Sequence, residues 1–470
     1  MSLSRSFTLT ERLYRAAEDL APPFVLQYVV QGRGRCDPAD VARAWQATAE
    51  ALPALRLRGA APRWQLGAQP ALHQAPTSLF DDWNAPLFHR PMAAGQVAEL
   101  FHGYGADSQF LLRIRHRVMD AKGVQLVLRH VFARLRGEVP RGVADFPADH
   151  VVRQQLPASS AKRAGYALRW PSLPLASTPA QHRLVVHSLP GRVEAPLART
   201  AAWLATRWQQ PCRFLVPVDL RRHAGVPAAT ANLSLPLYLP VQPGQRWQAV
   251  QAQLLAELNA RRELAREPLE WWGRRVPPAW LRSLLAQTLR RAQAHGRYPM
   301  SGFLSHNGAL RLADLSAPGF AATQVVALPV FVPLAPFCLV VLEQDQATHL
   351  ALALPTHPQT EALLADWHHL WPQPAAAAAT DSVAEAPPHP LYAALLQRWA
   401  EVLDLPAAQV PPDATFHALG GDSIQLLTVL SETADQHLPH AGTAFIEAAL
   451  QTGGQLSLRD TLALLDRHGS

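Results

Sequence analysis

The apolar positions change period several times along the chain. Residues 24–31 read as a buried strand. Asp37 and Pro38 then supply an N-cap and a first-turn proline, and Val41, Trp45 and Leu52 mark one face of the helix they open. Pro53 stops that helix, and Leu55-Arg56-Leu57-Arg58 resumes a strand-like alternation. A second strand over 110–118 leads into a helix from about Gly123, where Val124, Leu128, Val131 and Leu135 share one stripe. Beyond Ala180 the pattern recurs. It predicts a strand over 184–188, a helix over 195–208, strands over 214–218 and 233–241, and long helices over 247–264 and 278–294. The order is that of two α/β halves, an architecture that places its site in the crevice between them. The absence of a Gly-rich phosphate loop argues against a nucleotide-binding fold.

Residues 325–342 form an unbroken apolar run of 18, the lower limit of a spanning helix. Pro329, Pro333 and Pro336 interrupt it, so two short buried strands separated by turns are expected, with no membrane partner. Residues 372–389 replace periodicity with Ala, Pro and scattered polar residues and read as a linker. The organisation expected is a large region over 1–371, halved at about 1–160 and 175–371, and a small helical unit over 390–470.

The chain has 470 residues, 49% apolar and 17% charged, with enough core-forming material for several folding units. The start lacks the apolar segment of a secretory signal, so a cytoplasmic location is expected. Cys36, Cys212 and Cys338 are too far apart for a disulfide frame or a zinc site, and no metal is expected. Net charge is +7, but residues 388–470 hold nine acids against three arginines, a net of −6 that leaves +13 on the remainder. An acidic unit joined to a basic one suggests electrostatic docking between them or their relatives. No aromatic-basic motif supports nucleic-acid binding.

Two segments carry chemistry. In the small unit, Leu419-Gly-Gly-Asp422-Ser423-Ile424 places a serine after a tight turn at a helix start, where free backbone N–H groups favour a phosphate. Read alone, the same residues also suit a simple helix cap. In the large region, His116-Arg-Val-Met-Asp120 ends a strand on which Leu112, Ile114 and His116 share the inward face and Arg113, Arg115 and Arg117 the other. An imidazole there suits proton transfer from an attacking amine or hydroxyl, and equally a satisfied core histidine.

The run from Asp413 and Phe416 through the LGGDSI at 419–424 to Leu427 and Leu430 resembles the phosphopantetheine attachment site of carrier proteins, in particular the peptidyl carriers of non-ribosomal peptide synthetases. The resemblance implies a small all-α four-helix carrier domain with 4'-phosphopantetheine on Ser423, and Asp422 and Ile424 on the surface partner enzymes read. Residues 6–371 resemble the condensation-domain and chloramphenicol-acetyltransferase-like superfamily, whose signature is HHxxxDG. That resemblance implies two half-domains of that type, with His116 at the acyl-transfer centre and Asp120 as structural support. Arg56 is the first expected partner of Asp120 and Arg221 the second. Asn232 and the Ser305-His-Asn307-Gly segment resemble later motif positions. Arg115 and Ala121 depart from the signature. Since alanine takes positive φ poorly, the turn is expected to borrow Gly123.

Together the resemblances imply a condensation–carrier protein of secondary-metabolite (antibiotic) assembly. It would join a carrier-bound donor acyl group to an acceptor amine. The expected partners are other carriers and modules, a phosphopantetheinyl transferase, and an adenylation or loading enzyme acting in trans. Ester formation by an O-acyltransferase and a degenerate docking scaffold are the alternatives.

Overall fold

The computed structural model describes residues 4–60, 63–140, 146–156, 182–223, 226, 229–265, 276–295, 298, 300–332, 335–345, 347–356, 358–371, 389–403, 405–416, 419, 421, 423–438, 440–451 and 456–469. The chain divides into two compact units, Met1–Gln245 with Glu263–Trp371, and Arg246–Arg262 with Pro372–Ser470. Residues 372–388 of the expected 372–389 linker, and Asp422, lie outside the described residues.

Among the described residues, the larger unit holds three sheets. A five-stranded sheet joins β2 (Val25–Gly34), β5 (Ala71–Ala75), β6 (Ala98–Tyr104), β7 (Ser108–Arg115) and β12 (Phe320–Leu328) in the order β12-β2-β7-β6-β5. A six-stranded sheet joins β8 (His182–Pro190), β9 (Cys212–Asp219), β10 (Ser234–Val241), β11 (Gly302–Leu310), β13 (Cys338–Gln344) and β14 (Ala347–Pro355) in the order β10-β9-β11-β13-β14-β8. A small sheet of β1 (Ser4–Ser6), β3 (Leu57–Ala60) and β4 (Arg63–Leu66) completes it. The helices that matter for the site are α1 (Leu9–Leu20), α2 (Pro38–Ala51) and α3 (Ala121–Leu135). Among the described residues no helix is long and apolar enough to cross a membrane.

The apolar run at 325–342 divides as its prolines require, but its two strands part company. Val325 to Leu328 belong to β12, which pairs antiparallel with β2, while β13 lies between β11 and β14 in the other sheet. One stretch of sequence thus stitches the two halves together. β2 reads as continuously apolar because both its faces are covered. Leu26, Tyr28 and Val30 pack in the core that holds Trp45 of α2 and Val124, Val127 and Leu128 of α3; Val29 packs with Phe88, Phe101 and Leu111 on the reverse face.

Local signals set most boundaries. Asp37 caps α2 by accepting from the N–H groups of Ala39 and Asp40, with Pro38 in the first turn. The alternation at 55–58 is only half a strand: Pro53–Arg56 is a short 3-10 turn, and β3 begins at Leu57.

In the smaller unit, α4 (Tyr392–Leu403), α5 (Ser423–His437), α6 (Gly442–Gln451) and α7 (Leu458–Gly469) form the helical carrier-like part. Its buried centre includes Trp399, Phe416, Leu427, Leu430, Phe445 and Leu462. Residues 246–262, which the sequence reading leaves in the large region, cluster with this unit.

Candidate active site and carrier serine

β7 ends at Arg115, and His116 to Val118 turn before α3, the Val118 N–H donating to the Arg115 carbonyl at 2.8 Å. Strand parity places Leu112 and Ile114 in the main core as expected, with Arg113 on the reverse face, where it pairs with buried Glu99 at 2.6 Å. The turn breaks that parity for Arg117. Its guanidinium lies 5.5 Å over the ring of Trp64, which belongs to the core holding Leu112 and Ile114.

His116 is half-buried. Its ring centroid lies 4.4 Å from Tyr14 of α1 and 5.6 Å, stacked, from Phe24. Its Nδ1 is 3.2 Å from the Met119 carbonyl, an acceptor only, so the ring when neutral carries its proton on Nδ1 and leaves Nε2 unprotonated. Desolvation holds the imidazole below its ordinary range, against the opposing influence of the Met119 carbonyl, Asp120 and the Asn232 side chain. A half-covered, neutral imidazole with a fixed tautomer is competent to accept a proton.

Asp120 is buried and caps α3, accepting from the Gly123 N–H at 3.0 Å. Its other oxygen accepts from the Leu233 N–H at 2.7 Å and pairs with Arg221 at 2.9 Å. Arg221 also pairs with Asp219 at 2.8 Å and donates to the carbonyls of Ala229 and Ala231. The geometry therefore reverses the expected order of partners. Arg221 holds Asp120, whereas the Arg56 Nε is buried with no hydrogen-bond partner. Asn232 joins the cluster, its side-chain amide donating to the His116 carbonyl at 2.9 Å. Asp120, Arg221 and Asn232 thereby tie the histidine loop of the first half to the segment between β9 and β10 in the second.

Ser305 and Asn307 have a different place. Ser305 Oγ donates to Asn307 Oδ1 at 2.9 Å, Asn307 donates to the Tyr28 hydroxyl at 2.9 Å, and Gln125 donates to the Asn307 carbonyl at 2.8 Å. That network fastens β11 to β2 and α3 and makes no hydrogen bond to His116 or Asp120.

The two departures from the signature acquire physical reasons. Ala121 is the first residue of α3 and has no positive φ, so the turn needs no glycine there. Gly123 is required by crowding instead: a Cβ on it would lie 2.9 Å from that of Met119. Arg115, in place of the first histidine, pairs with Glu18 and donates to the carbonyls of Met92 at 3.0 Å and Ala93 at 2.9 Å. Tyr14 and Phe24 are site components that sequence reasoning missed, and for Tyr14 the reason is that no local pattern connects α1 to the end of β7.

A cleft of about 810 Å³ in the larger unit is lined by Asn84, Leu87, His89, Arg90, His182 and Arg183. It shares His89 and His182 with a narrow second cavity bounded by Pro23, Val25, Phe88 and Phe331. Phe88, Leu184 and Ala353, which line it, belong to the core on the reverse face of β2, whereas Phe24 belongs to the main core.

In the smaller unit, Ser423 is the first residue of α5. The turn before it is closed by the Gly421 N–H donating to the Phe416 carbonyl at 2.9 Å. Gly421 is obligatory, since a Cβ there would lie 1.9 Å from the Phe416 ring. Phe416 is itself fixed edge-on against Trp399 at 4.8 Å, and Asp413 pairs with Arg459. A serine at a helix N-terminus, where backbone N–H groups have no intrahelical partner, fits a phosphodiester. Ile424 follows in the first turn of α5.

The model of the phosphopantetheine attachment site matches residues 393–440. No curated protein sequence matches the chain. Among solved structures, a doubly substituted starter condensation domain of rhizomide synthetase RzmA superposes with a TM-score of 0.52 at 19% identity, covering 78% of this chain and 93% of that one. A variant of the same domain in complex with C8-CoA gives 0.53 at 18% identity, over 78% and 93%. Polyketide synthase associated protein 5 from Mycobacterium tuberculosis gives 0.53 at 15% identity, over 78% and 96%. The N-terminal part thus has the α/β condensation-domain fold, and it is followed by a helical phosphopantetheine-binding domain, a type that carries 4'-phosphopantetheine covalently on a serine.

Proposed function

We propose that the chain is an acyltransferase that forms an amide between a carrier-bound acyl group and an acceptor amine, with Ser423 as its own carrier serine, loaded in trans. The observation that carries this reading is His116: a neutral imidazole whose Nδ1 is engaged by the Met119 carbonyl, in a chain that also brings a carrier domain. When bound, phosphopantetheine supplies a thiol on a flexible arm that presents the acyl group as a thioester. His116 Nε2 accepts the proton of the attacking amine as the C–N bond forms, then returns it to the departing sulfur as the C–S bond breaks. Met119 fixes the tautomer, and Asp120 with Arg221 and Asn232 holds the loop. The partners that follow are other carriers, a loading enzyme and a phosphopantetheinyl transferase.

The test loads the full chain with aminoacyl-coenzyme A through a phosphopantetheinyl transferase, then offers a series of acyl-coenzyme A donors. His116→Ala is expected to slow product formation by about 10²–10⁴-fold. With the wild type, the rate should fall as pH drops through the histidine's own pKa. Because that value is depressed, activity should persist below pH 6.5, the ordinary midpoint, before the acid limb sets in. An ester in place of the amide would reassign the acceptor to a hydroxyl. Unchanged turnover in His116→Ala would make the large region a docking scaffold.

A further inference from the structure

The arginine that replaces the first histidine of the signature does more than fill a position. Glu18 lies in the last turn of α1, where the negative end of the helix disfavours a carboxylate, and α1 has no basic residue there to offset it. Glu18 is nonetheless buried. Its charge is met from outside the helix, by Arg115 and by Arg117, whose Nε is 3.4 Å from Glu18 Oε2. Arg115 is itself rigidly seated, donating to the carbonyls of Gln96 at 2.5 Å, Met92 at 3.0 Å and Ala93 at 2.9 Å. Burial pushes both guanidiniums down to about 10, helped by Arg117 and Arg15 at Arg115 and by Arg15 at Arg117, where Asp19 and Glu11 act in the opposite sense.

The N-terminal end of α1 is fastened separately. Glu11 closes a capping box with Thr8, pairs with Arg5 at 2.5 Å and accepts from the Trp64 indole at 2.9 Å. Tyr14 lies between the two fastenings, one turn before Glu18, and its ring sits 4.4 Å from His116.

We infer that the Glu18–Arg115 pair is a clamp that holds the C-terminal half of α1 against the end of β7, so that Tyr14 roofs His116 and keeps water from it. Glu18 and Arg115 are then positioning residues, acting on the histidine through Tyr14. Their importance for catalysis rests on the function proposed above, but the clamp itself does not. The groups facing His116 are Tyr14 from α1, Phe24 at the start of β2, the Met119 carbonyl and Asp120 from its own loop, and Asn232 from the second half. The roof's physical effect is desolvation, the largest cause of the imidazole's lowered pKa.

The experiment is a nuclear magnetic resonance titration of His116 in the full chain, its signal assigned by loss in His116→Gln. Glu18→Gln should raise the His116 pKa towards its ordinary value as the roof loosens. Tyr14→Ala should do the same with the ion pair intact, which supplies the test if Glu18→Gln does not fold. The double variant should shift no further than Tyr14→Ala alone, because both act through one ring. Glu18→Asp, which keeps the charge, should shift less than Glu18→Gln. A folded Glu18→Gln or Tyr14→Ala with an unmoved His116, or additive shifts in the double variant, would overturn the clamp. The titration needs no substrate, so its outcome is separate from that of the acyl-transfer assay: shifts as expected with no acyl transfer would retain the clamp and discard the reaction.

Discussion

Ser423→Ala is expected to abolish covalent modification. Incubated with coenzyme A and a phosphopantetheinyl transferase, the wild type should gain the mass of one phosphopantetheine, whereas the variant should gain none. The change is confined to the first residue of α5, and Trp399, Phe416, Leu427 and Leu430 keep the packing that holds the unit together. Circular dichroism and thermal melting should therefore match the wild type. Gly421→Ala offers the converse case, because the serine remains but the added methyl collides with Phe416. Overpacking of this kind costs about 1–3 kcal/mol, so that variant should melt earlier and be modified less efficiently. Modification of Ser423→Ala would move the attachment point elsewhere and remove the assignment of this serine.

Arg221→Met should produce the largest loss of stability, about 3–5 kcal/mol, because it leaves the buried Asp120 carboxylate without its cation. The side chains of Arg221 and Asp120 are 10% and 4% exposed, so water screens the pair little. Two further carbonyls, of Ala229 and Ala231, lose a donor at the same time. Arg221→Lys would keep the charge but not the fork, and should recover only part of the loss. Arg56→Ala is the control. It removes no partner of Asp120 and should lose only the packing of its stem. Denaturant titration of the three variants checks the ranking, and an Arg56 variant less stable than Arg221→Met would contradict it.

The functional consequence of Arg221→Met should exceed what unfolding alone accounts for. Asp120 accepts from the Leu233 N–H, and Asn232, one residue earlier, donates to the His116 carbonyl. Freeing this segment loosens the loop that carries the imidazole.

The sequence by itself determined the periodic elements and the chemistry-bearing positions. The shift from period 2 to period 3.6 marks β7 and α3, the Asp37-Pro38 pair opens α2, and the Gly-Gly-Asp-Ser turn announces a helix start at Ser423. Each is a local matter, decided by backbone sterics and by which side chains reach their own neighbouring N–H groups. Tertiary structure decided what those elements meet. The choice of Arg221 over Arg56 turned on a hairpin folded 101 positions away in sequence. Likewise, the parting of β12 and β13 between two sheets follows from which edges are free to pair, something an apolar run does not encode. Tyr14 meets His116, and Glu18 meets Arg115, across a helix and a strand separated by nearly a hundred residues, and such pairs leave no periodic trace. Long-range pairing is set by the burial of charge and surface in the assembled fold, so it became legible only there.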